Sequence, residues 1–137
     1  MLHDTRKALL MEGLEIKKAF VIDYESVSKS VVLTTDNKIY IIDNNSCEYI
    51  LNEEFDEILT FNKADRYFYL IDHNTVYVYD VAGQLYQSIE YTTPIIGSSW
   101  FNTSNLNSIR VASLQGEASI KINEISLPII SAPEPLL

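Results

Sequence analysis

The sequence has 137 residues, of which 47% are hydrophobic and 21% are charged, which is enough for one folded domain with its own core. Its 19 acidic and 10 basic residues give a net charge of −9, which argues against binding to nucleic acid, because phosphates require clustered Lys and Arg. The single cysteine cannot form a disulfide within the chain, and no apolar run approaches the roughly 18 residues of a membrane span, so we expect a cytoplasmic protein that does not enter a membrane.

The first 14 residues are predicted to form a short amphipathic helix. Asp4 or Thr5 could cap its start, and Leu9, Leu10 and Leu14 would lie on or near one face. The apolar run at residues 8–11 ends at Glu12 and is too short for the hydrophobic region of a signal peptide. We expect this helix to cover a sheet edge or one end of the core.

Short apolar runs separated by polar turn residues dominate the rest of the chain and predict β-strands. Gaps such as residues 34–38 and 72–75 are of hairpin length and cannot hold crossover helices, so neighbouring strands should pair antiparallel. The sequence therefore predicts an all-β fold, an antiparallel meander of about 10–12 short strands. The clearest runs are residues 19–22, 31–33, 39–42, 67–71 and 76–79.

An internal repeat organises these strands. Overlaying residues 33–58 on residues 70–95 without gaps, a shift of 37, aligns seven identities. Both copies predict a strand, a two-residue polar turn (Asp36-Asn37 or His73-Asn74), a second strand closed by an Asp, and a further strand. A looser third copy would cover residues 109–122. The identical pairs are Leu33 and Leu70, Asn37 and Asn74, Tyr40 and Tyr77, Asp43 and Asp80, Tyr49 and Tyr86, Glu53 and Glu90, and Ile58 and Ile95.

Residues 76–85 resemble the blades of β-propellers of the NHL and TolB-like kind, in which an Asp closes one strand and a Gly precedes the next. Asp80 can accept backbone N–H groups across this turn, and Gly83 can adopt the positive φ that the turn needs. The resemblance covers residues 29–101, although residues 44–47 replace the glycine-containing turn in the first copy. It implies blade-like units of about 37 residues with four short strands each.

The blade pattern divides the chain into a single β domain, residues 1–130, and an extended tail, residues 131–137, that contains two prolines. The domain would contain two to three blade-like units at about residues 14–55, 56–92 and 94–130. Three blades are too few to close a ring, so we expect a second copy or another protein to complete the array. A single curved sheet or a sandwich is the alternative.

One group of candidate partner-binding residues is acidic. Between residues 48 and 57 the chain has five acids and no base, and residues 67–109 contain no Lys or Arg. This acidic group could dock a cationic partner, or it could be a solvated loop that protects strand edges from aggregation. Its members are Glu48, Glu53, Glu54, Asp56 and Glu57.

A second group of candidates is aromatic. Four tyrosines alternate along two adjacent predicted strands, which suggests that they share one face of one hairpin. They could form an exposed platform for a partner, or they could pack between blades. The intervening residues are also apolar, so the hairpin is predicted to be covered on both faces, as in a middle or interface blade. The four are Tyr67, Tyr69, Tyr77 and Tyr79.

The sequence contains no recognisable catalytic, cofactor-binding or metal-binding motif. Cys47 would need a histidine as its base, and the chain has only His3 near its start and His73 in a predicted turn. Asp72 and His73 would point to opposite faces of a strand, which makes them poor joint ligands for a metal unless they lie in the turn. We therefore predict that the protein is not an enzyme and that it binds neither a cofactor nor a metal.

Two classes of function remain. The first is a non-enzymatic protein–protein interaction module, a small acidic binding or inhibitor protein of the immunity kind that masks a basic partner. The alternative is a structural or assembly subunit, whose partial propeller is completed by self-association or by docking in a larger complex. Both predict a protein as the partner, and the second allows a homo-oligomer.

Overall fold

The computed structural model describes residues 15–24, 27–43, 47–51, 53–116 and 119–128. In these residues the chain forms eleven β-strands and no helix; the predicted N-terminal helix and C-terminal tail lie outside them. The strands are β1 (Ile16–Tyr24), β2 (Val27–Thr34), β3 (Ile39–Ile42), β4 (Cys47–Ile50), β5 (Ile58–Ala64), β6 (Tyr67–Asp72), β7 (Thr75–Asp80), β8 (Leu85–Glu90), β9 (Ile95–Asn102), β10 (Asn107–Leu114) and β11 (Ile120–Ser126).

The strands form three antiparallel sheets in chain order. Sheet A has the order β1-β2-β3-β4, sheet B has the order β5-β6-β7-β8, and sheet C has the order β9-β10-β11. Every pairing joins strands that are consecutive in the sequence. The predicted all-β antiparallel meander is therefore confirmed.

Sheet B lies between the other two sheets, because its two faces belong to two separate hydrophobic clusters. The six residues of β6 are all buried, so the prediction that this hairpin is covered on both faces is confirmed. The A/B cluster consists of Ile22, Val31, Leu33, Ile39, Ile41, Leu51, Phe55, Ile58, Phe61, Phe68, Leu70 and Tyr79. The B/C cluster consists of Ala64, Tyr67, Tyr69, Ile71, Val76, Val78, Ile109, Val111, Ile125 and Leu127.

The turns that join the second and third strands of sheets A and B differ in length by one residue. In sheet A, the N–H of Thr34 donates to the carbonyl of Lys38 at 2.9 Å, which leaves a three-residue loop that ends at Asn37 with φ of 63°. In sheet B, the loop is the predicted two-residue turn His73-Asn74, with φ of 54° at His73. The prediction of two-residue turns in both copies is therefore wrong for sheet A.

This extra residue shifts the second strand of the repeat relative to the third. Leu33 pairs with Ile39, and Val76 is the residue 37 positions after Ile39. Val76 pairs with Ile71, so Leu33 corresponds to Ile71. The overlay without gaps had instead aligned Leu33 with Leu70. Because neighbouring residues of a strand point to opposite faces, this single insertion reverses the face assigned to that strand.

The predicted turn at the end of β7 is confirmed. The Oδ1 atom of Asp80 accepts the N–H groups of Ala82 at 2.9 Å and of Gln84 at 3.0 Å. Gly83 has a φ of 83°, and its N–H donates to the carbonyl of Asp80 at 3.0 Å. A short polar side chain and a glycine thus close this hairpin by local hydrogen bonds.

Candidate interaction surface

Four members of the predicted acidic group lie on the segment that connects sheet A to sheet B. The side chains of Glu53, Glu54, Asp56 and Glu57 are exposed there. Glu48 belongs to β4, and its side chain lies outside the described residues. The structure therefore brings together four of the five acids, and we call Glu53, Glu54, Asp56 and Glu57 the acidic loop.

The backbone of the acidic loop is held by polar side chains from the turns of both sheets. Asp72, whose side chain is only 10% exposed, accepts the N–H of Asp56 at 3.1 Å and the N–H of Glu57 at 2.9 Å. On the side of sheet A, the amide of Asn37 donates to the carbonyl of Asp56 at 3.1 Å. Hydrogen bonds to a carboxylate are stronger than neutral ones, so this arrangement orders the loop.

The imidazole of His73 lies beside the acidic loop. Its Nδ1 atom is 3.5 Å from a carboxylate oxygen of Glu57, and its Nε2 atom is 3.8 Å from Asp72 and 3.9 Å from Asp56. The side chain of His73 is 54% exposed, so these contacts lie at the surface of the protein. Across the described part of the chain, no three His, Cys, Asp or Glu side chains are grouped to hold a metal ion.

The four tyrosines lie on opposite faces of the β6–β7 hairpin, so the prediction that they share one face is wrong. Residues paired across two strands share a face, and the register places Tyr69 opposite Val78 but Tyr77 opposite Leu70. Across a two-residue turn, an even number of residues lies between the two members of every pair, whereas seven residues lie between Tyr69 and Tyr77, so these two tyrosines cannot share a face. Tyr67 and Tyr69 face sheet C, whereas Tyr77 and Tyr79 face sheet A.

The tyrosines pack between sheets and do not form an exposed platform. Tyr69 is 1% exposed, and its phenol oxygen lies 3.5 Å from the hydroxyl oxygen of Ser98. Burial raises the pKa of Tyr69, and the hydrogen bond with Ser98 opposes this rise. Tyr77 is half-buried with its ring edge against Phe55, and burial, followed by the negative charges of Asp72 and two glutamates, raises its pKa.

Sheet C has one face against sheet B and one face exposed. Ile109 and Val111 in β10 belong to the B/C cluster, and the alternate residues of that strand point the other way. Ala112 on the exposed side pairs with Ile122, which is 61% exposed. We call this exposed side the outer face of sheet C. Its large exposed apolar side chains are Phe101, Ile120 and Ile122, with Ile96 beside them at the irregularity in β9.

Small residues form an open groove of about 390 Å³ in the middle of the outer face of sheet C. Gly97, Ser99 and Ala112 line it, with Ile122 and Arg110 at its sides. A Cβ atom built on Gly97 would meet no atom within 4 Å, so the groove has room above the glycine. The groove can therefore accept a side chain from another molecule.

Arg110 is held in place at the side of this groove. Its Nε atom is 3.2 Å from a carboxylate oxygen of Glu124, and its guanidinium carbon lies 4.4 Å from the centre of the Phe101 ring. Both contacts lie within sheet C, and a guanidinium over an aromatic face is a favourable arrangement. The outer face of sheet C thus combines apolar side chains with one ordered cation.

The face of sheet B that corresponds to the outer face of sheet C is buried. Val76 and Val78 in β7, the third strand of sheet B, point toward sheet C and are 0% and 1% exposed. Ile120 and Ile122 in β11, the third strand of sheet C, point away from sheet B and are 59% and 61% exposed. The same position in the blade is therefore covered in one sheet and open in the next.

The sequence analysis did not predict the outer face of sheet C. The alternation of Ile120 and Ile122 with Lys121 and Asn123 indicates a strand with one apolar face. That pattern is typical of a face that packs on the core, and nothing in it shows that the apolar face points outward.

Comparison with known proteins shows the fold but no family. No protein-family model and no curated protein matches this chain. A crystal structure of BBS1N in complex with ARL6DN, soaked with mercury, is similar with a TM-score of 0.63 and 18% sequence identity, over 90% of this chain and 42% of that chain. A second crystal structure of the complex, soaked with lead, has a TM-score of 0.60 and 18% identity, over 74% of this chain and 34% of that chain.

The matched domain of those structures is a β-propeller, so the three sheets have a partial propeller fold. The chain spans less than half the length of the propeller chains that it matches. In the described residues no helix has the length and apolar character that crossing a membrane requires.

Proposed function

We propose that the protein is a non-enzymatic protein-interaction module and that it binds its partner through the outer face of sheet C. The observation that carries this proposal is the exposure of Ile120 and Ile122, at positions equivalent to those that sheet B buries. A contiguous exposed apolar patch on a folded domain marks an interaction site. Because Ile120 and Ile122 are 59% and 61% exposed, burial of each by a partner would contribute about 1–2 kcal/mol of transfer free energy.

The structural neighbours support a protein as the partner. Both are complexes in which the similar domain is bound to another protein, ARL6DN. A partial propeller also has a physical reason to associate, because sheets that stack in one direction leave the last face uncovered. A blade-like surface of another protein would continue the packing of sheet A on sheet B and of sheet B on sheet C.

The experiment is affinity capture from the native cells with the full chain and two matched variants. Ile122→Glu places a charge on the outer face of sheet C, whereas Leu59→Glu places the same charge on an apolar side chain in β5 that is 53% exposed. We expect the first variant to lose the captured partner, quantified by mass spectrometry, and the second to retain it. Equal capture by both variants would refute the proposed surface.

Light scattering on the same variants separates a partner protein from a second copy. A dimer that dissociates on Ile122→Glu would favour the assembly subunit, in which self-association completes the partial propeller. A monomer that still captures a partner would favour docking on a different protein.

A second candidate function, inhibition of a basic partner by the acidic loop, is supported by the order of that loop. Four exposed carboxylates lie on a backbone that Asp72 and Asn37 hold in place, so little entropy would be lost on binding. Negative charge of this density attracts cationic partners and accelerates their association.

The acidic loop is tested by reversing one charge in it and one charge elsewhere. Glu54→Lys and Asp23→Lys change the net charge equally, and both residues are exposed. If the acidic loop docks the partner, Glu54→Lys slows association and reduces its dependence on salt, and Asp23→Lys has a much smaller effect. Equal effects of the two variants would show that only the overall charge matters.

A further inference from the structure

We propose that the outer edge of β11 binds one extended strand of a partner protein, which takes the position of a fourth strand in sheet C. This inference rests on the proposed function, because it specifies how a partner would engage sheet C. It adds a mode of recognition, addition of a strand to an open sheet edge, in which backbone groups supply affinity and alternate side chains supply specificity.

Sheets A and B each have four strands, whereas sheet C has three among the described residues. In sheet A the third strand pairs with β4, and in sheet B the third strand pairs with β8. Among the described residues, sheet C ends at its third strand, β11. Sheets A and B therefore both have a strand, β4 or β8, at the position that lies beside β11 in sheet C.

Alternate backbone N–H groups of β11 point away from β10, toward the outer edge of sheet C. Two hydrogen bonds flank the β10–β11 ladder: the N–H of Leu127 donates to the carbonyl of Asn107, and the N–H of Gln115 donates to the carbonyl of Ser119. They determine which residue pairs of the ladder are hydrogen-bonded. Because hydrogen-bonded pairs alternate in an antiparallel ladder, Lys121 and its alternate residues bond to β10. The N–H groups that point to the outer edge are those of Ile120, Ile122, Glu124 and Ser126.

A cavity of about 120 Å³ lies on the inner face of sheet C, between the segment that follows β8 and the β10–β11 pair. Ser113 and Gln115 line it from β10 and the residues after it, and Lys121 and Asn123 line it from β11. Tyr91, Thr92 and Thr93 form its other wall. A strand that ran along β11 could place a side chain in this cavity.

The geometry also specifies the incoming strand. The N–H groups of Ile120 and Ile122 point to the outer edge of β11, and their side chains lie on the outer face of sheet C. Because paired residues share a face, partner residues paired with these two would extend the apolar outer face. The partner strand should therefore be apolar at alternate positions.

The probe for this site is a synthetic peptide of residues 84–91 of this chain, which contains the fourth strand of sheet B. Added to the full-length protein, it should slow amide hydrogen exchange at Ile120, Ile122 and Glu124 about tenfold or more, as measured by NMR. A peptide of the same sequence with N-methyl groups on alternate residues should have no effect. Absence of slowing at β11 with the unmodified peptide would overturn the proposal.

Two variants at one position separate the backbone from the side chain. Glu124→Pro and Glu124→Ala both remove the ion pair with Arg110, but only proline removes the outward N–H. We expect peptide affinity to fall about tenfold or more in Glu124→Pro and to remain within about twofold of the original in Glu124→Ala. Equal affinities would overturn the proposal.

The free protein provides the remaining test. If the outward amides of β11 are already protected in dilute monomeric protein, a segment of the chain itself occupies the edge, and the proposal is wrong. Protection that increases with protein concentration would identify a second copy as the occupant and would also overturn it. Loss of partner capture in Ile122→Glu without protection by the peptide would reject strand addition but leave the proposed function intact.

Discussion

The phenol oxygen of Tyr69 and the hydroxyl oxygen of Ser98 are 3.5 Å apart, and this contact links the middle sheet to sheet C. Tyr69 is almost fully buried in the B/C cluster, where burial raises the pKa of its phenol more than the hydrogen bond with Ser98 lowers it. The packing of sheet C on sheet B therefore depends on a tyrosine that must stay protonated.

This burial predicts a loss of stability at alkaline pH. The phenol ionises near pH 10 in the unfolded chain but at a higher pH in the folded chain, so the folded state binds more protons in that range. The stabilising contribution of this phenol should be fully present up to about pH 9 and be lost as the pH rises through 10. In urea unfolding between pH 8 and 11, Tyr69→Phe should show a shallower fall than the original protein.

The matched control is Tyr86→Phe, because Tyr86 is exposed in β8. This variant should keep the original dependence on pH. Part of the slope should persist in Tyr69→Phe, since burial also raises the pKa of Tyr77 and of Tyr91. Identical slopes in all three proteins would show that the phenol of Tyr69 is not buried in solution.

Asp72 is expected to stabilise the connection between sheets A and B. Replacing it with Ala leaves the N–H groups of Asp56 and Glu57 without their carboxylate acceptor, which should cost about 1–3 kcal/mol. Urea unfolding followed by the fluorescence of Trp100, the single tryptophan, measures this change. Glu54→Ala, which removes an exposed carboxylate from the same loop, should change stability by less than about 0.5 kcal/mol.

Amide exchange distinguishes a local effect of Asp72 from general destabilisation. In Asp72→Ala the N–H groups of Asp56 and Glu57 should exchange faster than in the original protein. The increase at these two groups should be larger than the increase at the N–H groups of the β6 ladder. Uniform acceleration throughout the chain would contradict the assigned role of the carboxylate.

The class of the fold and one turn could be predicted because their signals are local. The apolar runs and short gaps specify an antiparallel meander, and Asp80 and Gly83 specify the hairpin after β7. These features depend on residues within a few positions of one another, where sequence and conformation are directly coupled.

The face of the sheet to which each side chain points could not be predicted, because it depends on the register of the strands. One extra residue before Lys38 makes Leu33 equivalent to Ile71, and the two-residue turn at His73 places Tyr69 and Tyr77 on opposite faces. A strand pattern also does not reveal which of its faces another sheet will cover. The exposure of the outer face of sheet C thus became visible only in the packed structure.

The stability of the fold is expected to depend more on Gly83 than on Gly97. Its φ of 83° is unfavourable for any residue with a Cβ atom, so Gly83→Ala should cost about 1–2 kcal/mol. Gly97→Ala is the matched control, because a Cβ there meets no atom within 4 Å. Thermal unfolding of the two variants should show a lower midpoint for Gly83→Ala only, and equal midpoints would contradict the assigned turn.

The outer face of sheet C is expected to tolerate charge without loss of stability. Ile120 and Ile122 are more than half exposed, so replacing both with Lys removes little packing and should change the free energy of unfolding by less than about 1 kcal/mol. The same change should reduce the fluorescence of the dye ANS, which binds exposed apolar surface. A double variant of Val76 and Val78 to Lys, in the buried equivalent positions, should instead unfold the protein. If the Ile120 and Ile122 variant lost several kcal/mol, the outer face of sheet C would already be covered in the isolated protein, and the surface proposed for the partner would have to lie elsewhere.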